Sequence, residues 1–153
     1  MTPQRFGEAR VDGPEAMLEL GAAIGARCLP RTQIGLQGEL GAGKTTLVRG
    51  IASGIGVTSP IASPTFAIVE DHGELIHVDW YRIQDEFELD AIDFDGYLDR
   101  ESVVVVEWAD RFPTRLDEDA MVLHIEATDP NSRRVVAFGV PPIAVRFAEV
   151  FTQ

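Results

Sequence analysis

The segment Gly38-Glu39-Leu40-Gly41-Ala42-Gly43-Lys44-Thr45 is the most informative part of the sequence, because it matches G-x-x-x-x-G-K-[ST] at every fixed position. The last two glycines would let backbone N–H groups turn inward and form a nest for an anion. The helix pattern that follows would aim its positive N-terminal end at the same anion. Lys44 would neutralise phosphate charge, the Thr45 hydroxyl would ligate Mg²⁺, and Thr46 would reach the α-phosphate. The segment therefore predicts a nucleotide-binding loop over residues 38–46.

Lys44 is also the only lysine of the chain, since the other 12 of its 13 basic residues are arginine. A phosphate-binding loop needs a slim ammonium group that acts as a point charge, and the planar guanidinium fork of arginine is too wide for this place. The single lysine thus occupies the position at which the motif requires a lysine.

Hydrophobic patterning on both sides of the loop predicts alternating helices and strands. The first helix would bury Met17, Leu18, Leu20 and Ile24 on one side, and glycines 54 and 56 would end the helix after the loop. The predicted elements are a helix over 14–28, a strand over 32–37, a helix over 45–54, a hairpin over 65–81, a short acidic helix over 85–93, and strands over 102–106, 120–127 and 133–140. This order indicates an α/β fold with one domain over 1–153: a P-loop NTPase-like three-layer sandwich whose mixed sheet has a parallel core and antiparallel additions.

Composition and charge narrow the class of protein further. Hydrophobic residues make up 45% of the chain and charged residues 25%, as in ordinary globular proteins. The absence of a long apolar run and of a signal-like N-terminus predicts a cytoplasmic protein without a membrane segment. Cys28 is the single cysteine, so it can form no internal disulfide. A net charge of −12 argues against direct binding of nucleic acid, so any RNA substrate would be held by a partner.

Two acids at strand ends would complete the nucleotide site. Asp79 follows the apolar run 75–78, and Glu107 follows four consecutive valines. A phosphate-binding loop requires a nearby carboxylate that holds the Mg²⁺ shell or orients water. Lys44, Asp79 and Glu107 are thus the predicted catalytic residues, and Thr45, Asp79 and Glu107 the predicted metal ligands. Spacing alone leaves open which acid contacts the metal and which one positions the attacking water.

Together these motifs resemble the TsaE family, whose members act in the formation of threonylcarbamoyladenosine at position 37 of tRNA. Ser63-Pro64-Thr65-Phe66 is similar to the family's switch-like threonine loop. His77-Val78-Asp79-Trp80-Tyr81-Arg82 matches its H-x-D-x-Y-R element, and Glu107-Trp108 matches its glutamate–tryptophan pair. The resemblance extends over about residues 7–140.

The resemblance implies roles for these residues and a function for the chain. Thr65 would face the nucleotide, Trp108 would matter for activity, and His77, Tyr81 and Arg82 would be accessory residues. The chain would be a weak Mg²⁺-dependent ATPase that binds the TsaB–TsaD heterodimer and supports its turnover. It would not transfer the threonylcarbamoyl group itself, and it would meet tRNA only through its partners.

Two other functions compete with this hypothesis. A small-molecule P-loop kinase would need arginines in a lid over the phosphates, and the candidates are Arg111, Arg115, Arg133 and Arg134. A non-hydrolysing ATP sensor would need no catalytic acid, so the pair Asp79 and Glu107 argues against it. ATP is favoured over GTP because the sequence has no Asn-Lys-x-Asp motif.

Overall fold

A computed structural model describes residues 2–39, 41–62 and 68–152. The predicted switch loop Ser63-Pro64-Thr65-Phe66 and the loop residue Leu40 therefore lie outside the described residues. In the described part, seven strands form one sheet, flanked by helices on both faces. None of the described helices is long and apolar enough to cross a membrane.

The strands and helices follow one another as the hydrophobic pattern predicts, with three additions: a strand before the first helix and two short helices, over 94–98 and 141–146. The elements are β1 (Gln4–Asp12), α1 (Pro14–Ala26), β2 (Gln33–Gln37), α2 (Lys44–Ile55), β3 (Val69–Asp71), β4 (Leu75–Asp79), α3 (Glu86–Ala91), α4 (Phe94–Leu98), β5 (Val103–Glu107), β6 (Met121–Asp129), β7 (Ser132–Gly139) and α5 (Pro141–Arg146). Two 3₁₀ turns, Ala109–Arg111 and Pro113–Arg115, lie between β5 and β6. Strand β1 was not predicted.

The sheet has the order β1-β7-β6-β2-β5-β4-β3. Strands β6, β2, β5 and β4 run parallel, whereas β1 and β7 on one side and β3 on the other pair antiparallel. This confirms the predicted mixed sheet with a parallel core. Strand β5 is buried along its whole length, as expected for a strand covered on both faces.

One face of the sheet is covered by the packed pair α1 and α2, and the other by α3, α4 and the 3₁₀ turns. The two helices α1 and α2 approach closely because glycines line their contact: Gly21, Gly25, Gly50 and Gly54. A Cβ atom on Gly50 would lie 2.4 Å from the carbonyl oxygen of Leu18. Packing of backbone against backbone fixes the position of α2, and with it the loop that precedes this helix.

These glycines explain two local errors of the sequence prediction. Gly54 does not end α2 but lies inside it, against Ala22, and the helix ends at Gly56 in the left-handed conformation. Leu18 is 38% exposed and does not share the buried side with Met17 and Ile24. The face of α1 that meets α2 is marked by residues without side chains, which a count of apolar side chains ignores.

Candidate nucleotide-binding site

The phosphate-binding loop connects β2 to α2 at the carboxyl end of the parallel strands. Gly41 and Gly43 have φ angles of 81° and 107°, a left-handed conformation that glycine adopts without strain. The N–H of Ala42 donates to the carbonyl of Glu39 across the turn, at 3.0 Å. The two glycines thus stand where the motif requires the backbone to turn, and α2 begins directly at Lys44.

Lys44 points back into the loop and is almost fully buried, with 5% of its surface exposed. Its Nζ donates to the carbonyl oxygens of Gly38, at 2.6 Å, and Glu39, at 2.8 Å. The same ammonium lies 4.0 Å from the centre of the Trp108 ring, which makes a cation–π contact. Burial lowers the pKa of Lys44, and the negative charge of Glu107 opposes this effect.

The two predicted acids end neighbouring strands, and Asp79 on β4 pairs in register with Glu107 on β5. Of the two, Glu107 is the acid that contacts the loop: the Thr45 hydroxyl lies 3.1 and 3.2 Å from its carboxylate oxygens. Asp79 is half-buried and accepts the backbone N–H of Tyr81 at 2.8 Å. Burial raises the pKa of Asp79, and the nearby charge of Glu107 raises it further.

His77 lies beneath these acids and is fully buried. Its Nε2 lies 2.5 Å from Oε2 of Glu107, and its Nδ1 lies 3.1 Å from Oε1 of Glu70. Glu70, on β3, was not recognised as a site residue from the sequence. A signal was available, because a histidine inside an apolar strand needs a polar partner, and the hairpin pairs residue 70 with residue 77.

The aromatic residues of the two matched motifs meet beside the loop. The rings of Tyr81 and Trp108 lie 5.0 Å apart between centres, with Tyr81 on the solvent side. Trp108 has a left-handed backbone, with φ of 60°, directly after Glu107. Arg82 is exposed in the turn after Tyr81. Trp80 belongs to the core and packs edge to face against two phenylalanine rings.

The two adjacent arginines Arg133 and Arg134 have different environments. Arg134 is exposed and pairs with Glu126 at 2.8 Å. Arg133 reaches the phosphate-binding loop, where its guanidinium donates to the carbonyl oxygens of Ala42, at 3.0 Å, and Gly41, at 3.4 Å. This contact joins residues that are far apart in sequence, so no local sequence pattern predicts it.

The other two arginines considered for a kinase lid are also held by protein groups. Arg111 donates to the carbonyl oxygen of Tyr81 at 2.7 Å. Arg115 pairs with Asp90 at 2.9 Å and with Asp95 at 3.4 Å, on the face of the sheet that carries α3 and α4. These positions brace the fold and the loop, and they give no support to the kinase hypothesis.

A cavity of about 240 Å³ lies next to the loop. It is bounded by the loop glycines, by Thr46, by the turn before α1, and by the β6–β7 turn with Arg133. The cavity therefore continues from the place where the motif would hold the phosphates.

Comparison with known proteins agrees with these observations. Residues 11–136 match the family model described as "Threonylcarbamoyl adenosine biosynthesis protein TsaE". The tRNA threonylcarbamoyladenosine biosynthesis protein TsaE of Bacillus subtilis is 32% identical over 130 residues, which cover 82% of this chain and 81% of that protein. The protein of the same name from Mycobacterium tuberculosis is 34% identical over 145 residues and covers 86% of both chains.

The fold is similar to a solved structure as well. The crystal structure of YdiB from Bacillus subtilis superimposes with a TM-score of 0.79 at 25% identity, covering 98% of this chain and 96% of that one. The match spans the strands and the helices that build the phosphate-binding site. The chain belongs to the TsaE family of threonylcarbamoyl adenosine biosynthesis proteins.

Proposed function

We propose that this protein is a Mg²⁺-dependent ATPase that supports threonylcarbamoyladenosine formation at position 37 of tRNA. The coarser role, in the biosynthesis of this modified nucleoside, follows from membership of the family. The observation that carries the finer proposal is the contact between Thr45 and Glu107, which joins the phosphate-binding loop to a strand-end acid. A loop that only bound an anion would need no carboxylate at this place.

The groups around Thr45 suit Mg²⁺, which prefers oxygen ligands and is usually bound by one or two protein side chains together with phosphates and water. Thr45 and Glu107 supply a hydroxyl and a carboxylate in direct contact, and Asp79 supplies a second carboxylate on the next strand. We propose that Thr45 and Glu107 hold the ion, with Asp79 nearby. Bound there, Mg²⁺ would neutralise phosphate charge as bond cleavage proceeds.

The remaining residues have roles that follow from their positions. Lys44 would leave the carbonyl oxygens of the loop and neutralise the phosphates. Asp79 is the better candidate for orienting the attacking water, because burial raises its pKa towards the range in which a carboxylate accepts protons readily. The cavity beside Thr46 and Arg133 would receive the nucleoside.

We further propose that the protein acts on the TsaB–TsaD heterodimer, in the cytoplasm where tRNA is modified. A chain with a net charge of −12 repels the phosphates of RNA, so the tRNA would be held by the partners. An accessory ATPase of this kind would hydrolyse ATP slowly alone and faster in the complex, because partner contacts would complete its site. It would not transfer the threonylcarbamoyl group.

The test is Mg²⁺-dependent ATP hydrolysis by the purified protein, alone and with reconstituted TsaB–TsaD. The proposal predicts a low basal rate that rises with the partners and is lost in Lys44→Ala, whose fold stays intact by circular dichroism. Glu107→Ala should lower hydrolysis more than it weakens binding of ATP. Tight ATP binding without hydrolysis in either condition would favour the sensor hypothesis. A rate that ignores the partners would reopen the kinase hypothesis, which a screen for phosphorylated small molecules would then test.

A further inference from the structure

His77 is the most deeply buried of the three histidines, and its surroundings differ from those of an ordinary core residue. Its side chain is 0% exposed, whereas that of His124 is 45% exposed. Both ring nitrogens face carboxylate oxygens, those of Glu70 and Glu107, and Glu107 is itself only 4% exposed. Burying a group that pairs with charges costs desolvation free energy. Its retention at this depth indicates that the arrangement has a function.

The backbone fixes this arrangement from both sides. Glu70 and His77 are directly paired in the antiparallel β3–β4 ladder, which brings their side chains together on one face. On the other side, β4 runs parallel to β5, where residue 77 pairs with residue 105 and the imidazole reaches forward to Glu107. Glu70 is also flanked by His72, whose Nε2 lies 3.8 Å away. The imidazole is thus held by strands and not by a loop.

The chemistry of Glu107 shows what this arrangement achieves. An ionised carboxylate only accepts hydrogen bonds, so both its neighbours must donate: the hydroxyl of Thr45 and the Nε2–H of His77. If Thr45 turns its oxygen to Mg²⁺, as the proposed function requires, Glu107 loses one of these two donors. The imidazole then remains to keep the carboxylate aimed at the loop.

We propose that His77 is a positioning residue for Glu107, held in turn by Glu70, so that Glu70, His77 and Glu107 form a largely buried relay that orients the acid of the nucleotide site. The proposal rests on the function proposed above, because it assigns Glu107 a role at the phosphates. It also makes a statement about the nucleotide-free protein that can be tested without any hydrolysis.

Two substitutions of His77 separate the two ends of the relay. The amide nitrogen of glutamine stands as far from the backbone as Nε2, so His77→Gln keeps a donor for Glu107 and loses the contact with Glu70. The amide nitrogen of asparagine lies where Nδ1 does, so His77→Asn keeps a hydrogen-bond donor for Glu70 and loses the donor for Glu107. Removal of such a supporting partner typically costs about 10- to 100-fold in activity. We therefore expect His77→Asn to lower kcat by about this factor and His77→Gln to retain most of it.

Three control measurements accompany the kinetic measurement. Binding of ATP in the absence of Mg²⁺ should change less than about threefold in both variants, because His77 acts on Glu107 and not on the nucleotide. Thermal unfolding reports any loss of stability. His124→Gln is the matched control, since this half-exposed histidine lies outside the site, and its kcat should equal that of the wild type. Equal losses of kcat in His77→Asn and His77→Gln that follow their melting temperatures would overturn the proposal, as would full activity in His77→Asn.

Nuclear magnetic resonance of the ¹⁵N-labelled, nucleotide-free protein gives the independent readout. The ring N–H of His77 should appear far downfield and exchange slowly with water, and it should shift strongly in Glu107→Ala and in Glu70→Gln but not in His124→Gln. If the wild type hydrolyses no ATP, the proposed function fails, and this resonance still decides whether the relay exists. Its absence from the wild-type spectrum would refute the relay whatever the hydrolysis assay shows.

Discussion

Arg133 donates from Nε to the carbonyl oxygen of Ala42, 3.0 Å away, and thereby joins strand β7 to the phosphate-binding loop. The same guanidinium also reaches the carbonyl of Gly41 and the carbonyls of the β6–β7 turn. A loop that must present its N–H groups to phosphate has to turn its carbonyl groups the other way. Arg133 receives them there, so it stabilises the side of the loop opposite to the ligand.

We expect Arg133→Ala to weaken ATP binding about fivefold, because loss of the charged donors would cost the bound form of the loop about 1 kcal/mol. Arg134→Ala is the control, since it removes the same charge from the neighbouring residue but breaks only exposed ion pairs, with Glu126 and Glu8. Isothermal titration of both variants with Mg²⁺–ATP measures the difference. Equal affinities for the two variants would show that the loop does not depend on Arg133.

The cation–π contact of Lys44 with Trp108 provides a spectroscopic signal for nucleotide binding. If Lys44 turns to the phosphates, the ammonium leaves its place 4.0 Å above the indole, and the fluorescence of Trp108 should change. The chain has two tryptophans, and the other, Trp80, is fully buried in the core. The change on ATP titration should therefore persist in Trp80→Phe and disappear in Trp108→Phe. A signal that survives in Trp108→Phe would contradict the assignment of the fluorescence change to the contact between Lys44 and Trp108.

Asp79 should destabilise the nucleotide-free protein at neutral pH. Its pKa in the folded protein is raised above the ordinary 3.8 by burial first and by the charge of Glu107 second. Between the ordinary and the raised value the folded state binds more protons than the unfolded chain, so the free energy of unfolding falls as the pH rises through this window. Above this pH window, the reduction of the free energy of unfolding has reached its full value.

Asp79→Asn should accordingly raise the melting temperature at neutral pH in EDTA, and the gain should vanish as the pH falls towards 3.8. Asparagine keeps an oxygen for the N–H of Tyr81, so the turn itself is preserved. Asp12→Asn is the opposite control: a hydrogen bond from Ser132 lowers the pKa of Asp12, and its ionised form therefore stabilises the fold above that pKa. Thermal unfolding across the pH range tests both signs, and a lower melting temperature for Asp79→Asn would contradict the first.

Gly50→Ala should destabilise the protein although alanine is the better helix former. The substitution gains about 0.5–1 kcal/mol of helix propensity. The new Cβ would lie 2.4 Å from the carbonyl of Leu18, and such overpacking costs about 1–3 kcal/mol. We expect a net loss of about 1–2 kcal/mol in urea unfolding. Ser53→Ala, on the exposed side of the same helix, should be neutral or slightly stabilising.

The sequence contains enough to predict the parallel core and the phosphate-binding loop. The loop motif identifies β2 and α2, and the run of valines before Glu107 indicates a strand buried on both faces. Because parallel strands end at one edge of a sheet, Asp79 and Glu107 could be placed near the loop before their register was known. Which of them contacts Thr45 depends on the order of the strands, and spacing does not supply this order.

The parts that were missed depend on contacts between distant segments. Strand β1 has few apolar side chains and lies at the edge of the described sheet, beside β7, so its own sequence gives a weak signal. The contacts of Arg133 with the loop and of Glu70 with His77 join side chains that lie on different segments of the chain. Their partners are fixed by β-sheet register, and local patterns do not specify it.

The position of Lys44 has one more consequence, for the affinity of the protein. The carbonyl oxygens of Gly38 and Glu39 act as an internal ligand for the ammonium, so ATP competes with the backbone of the loop for the same cation. Only the molecules in which Lys44 has already left these carbonyl oxygens bind ATP at full strength. The apparent affinity for ATP is therefore the intrinsic affinity multiplied by the fraction of such molecules. Any partner protein that weakens the hydrogen bonds between Lys44 and these carbonyl oxygens would therefore tighten ATP binding without contacting the nucleotide.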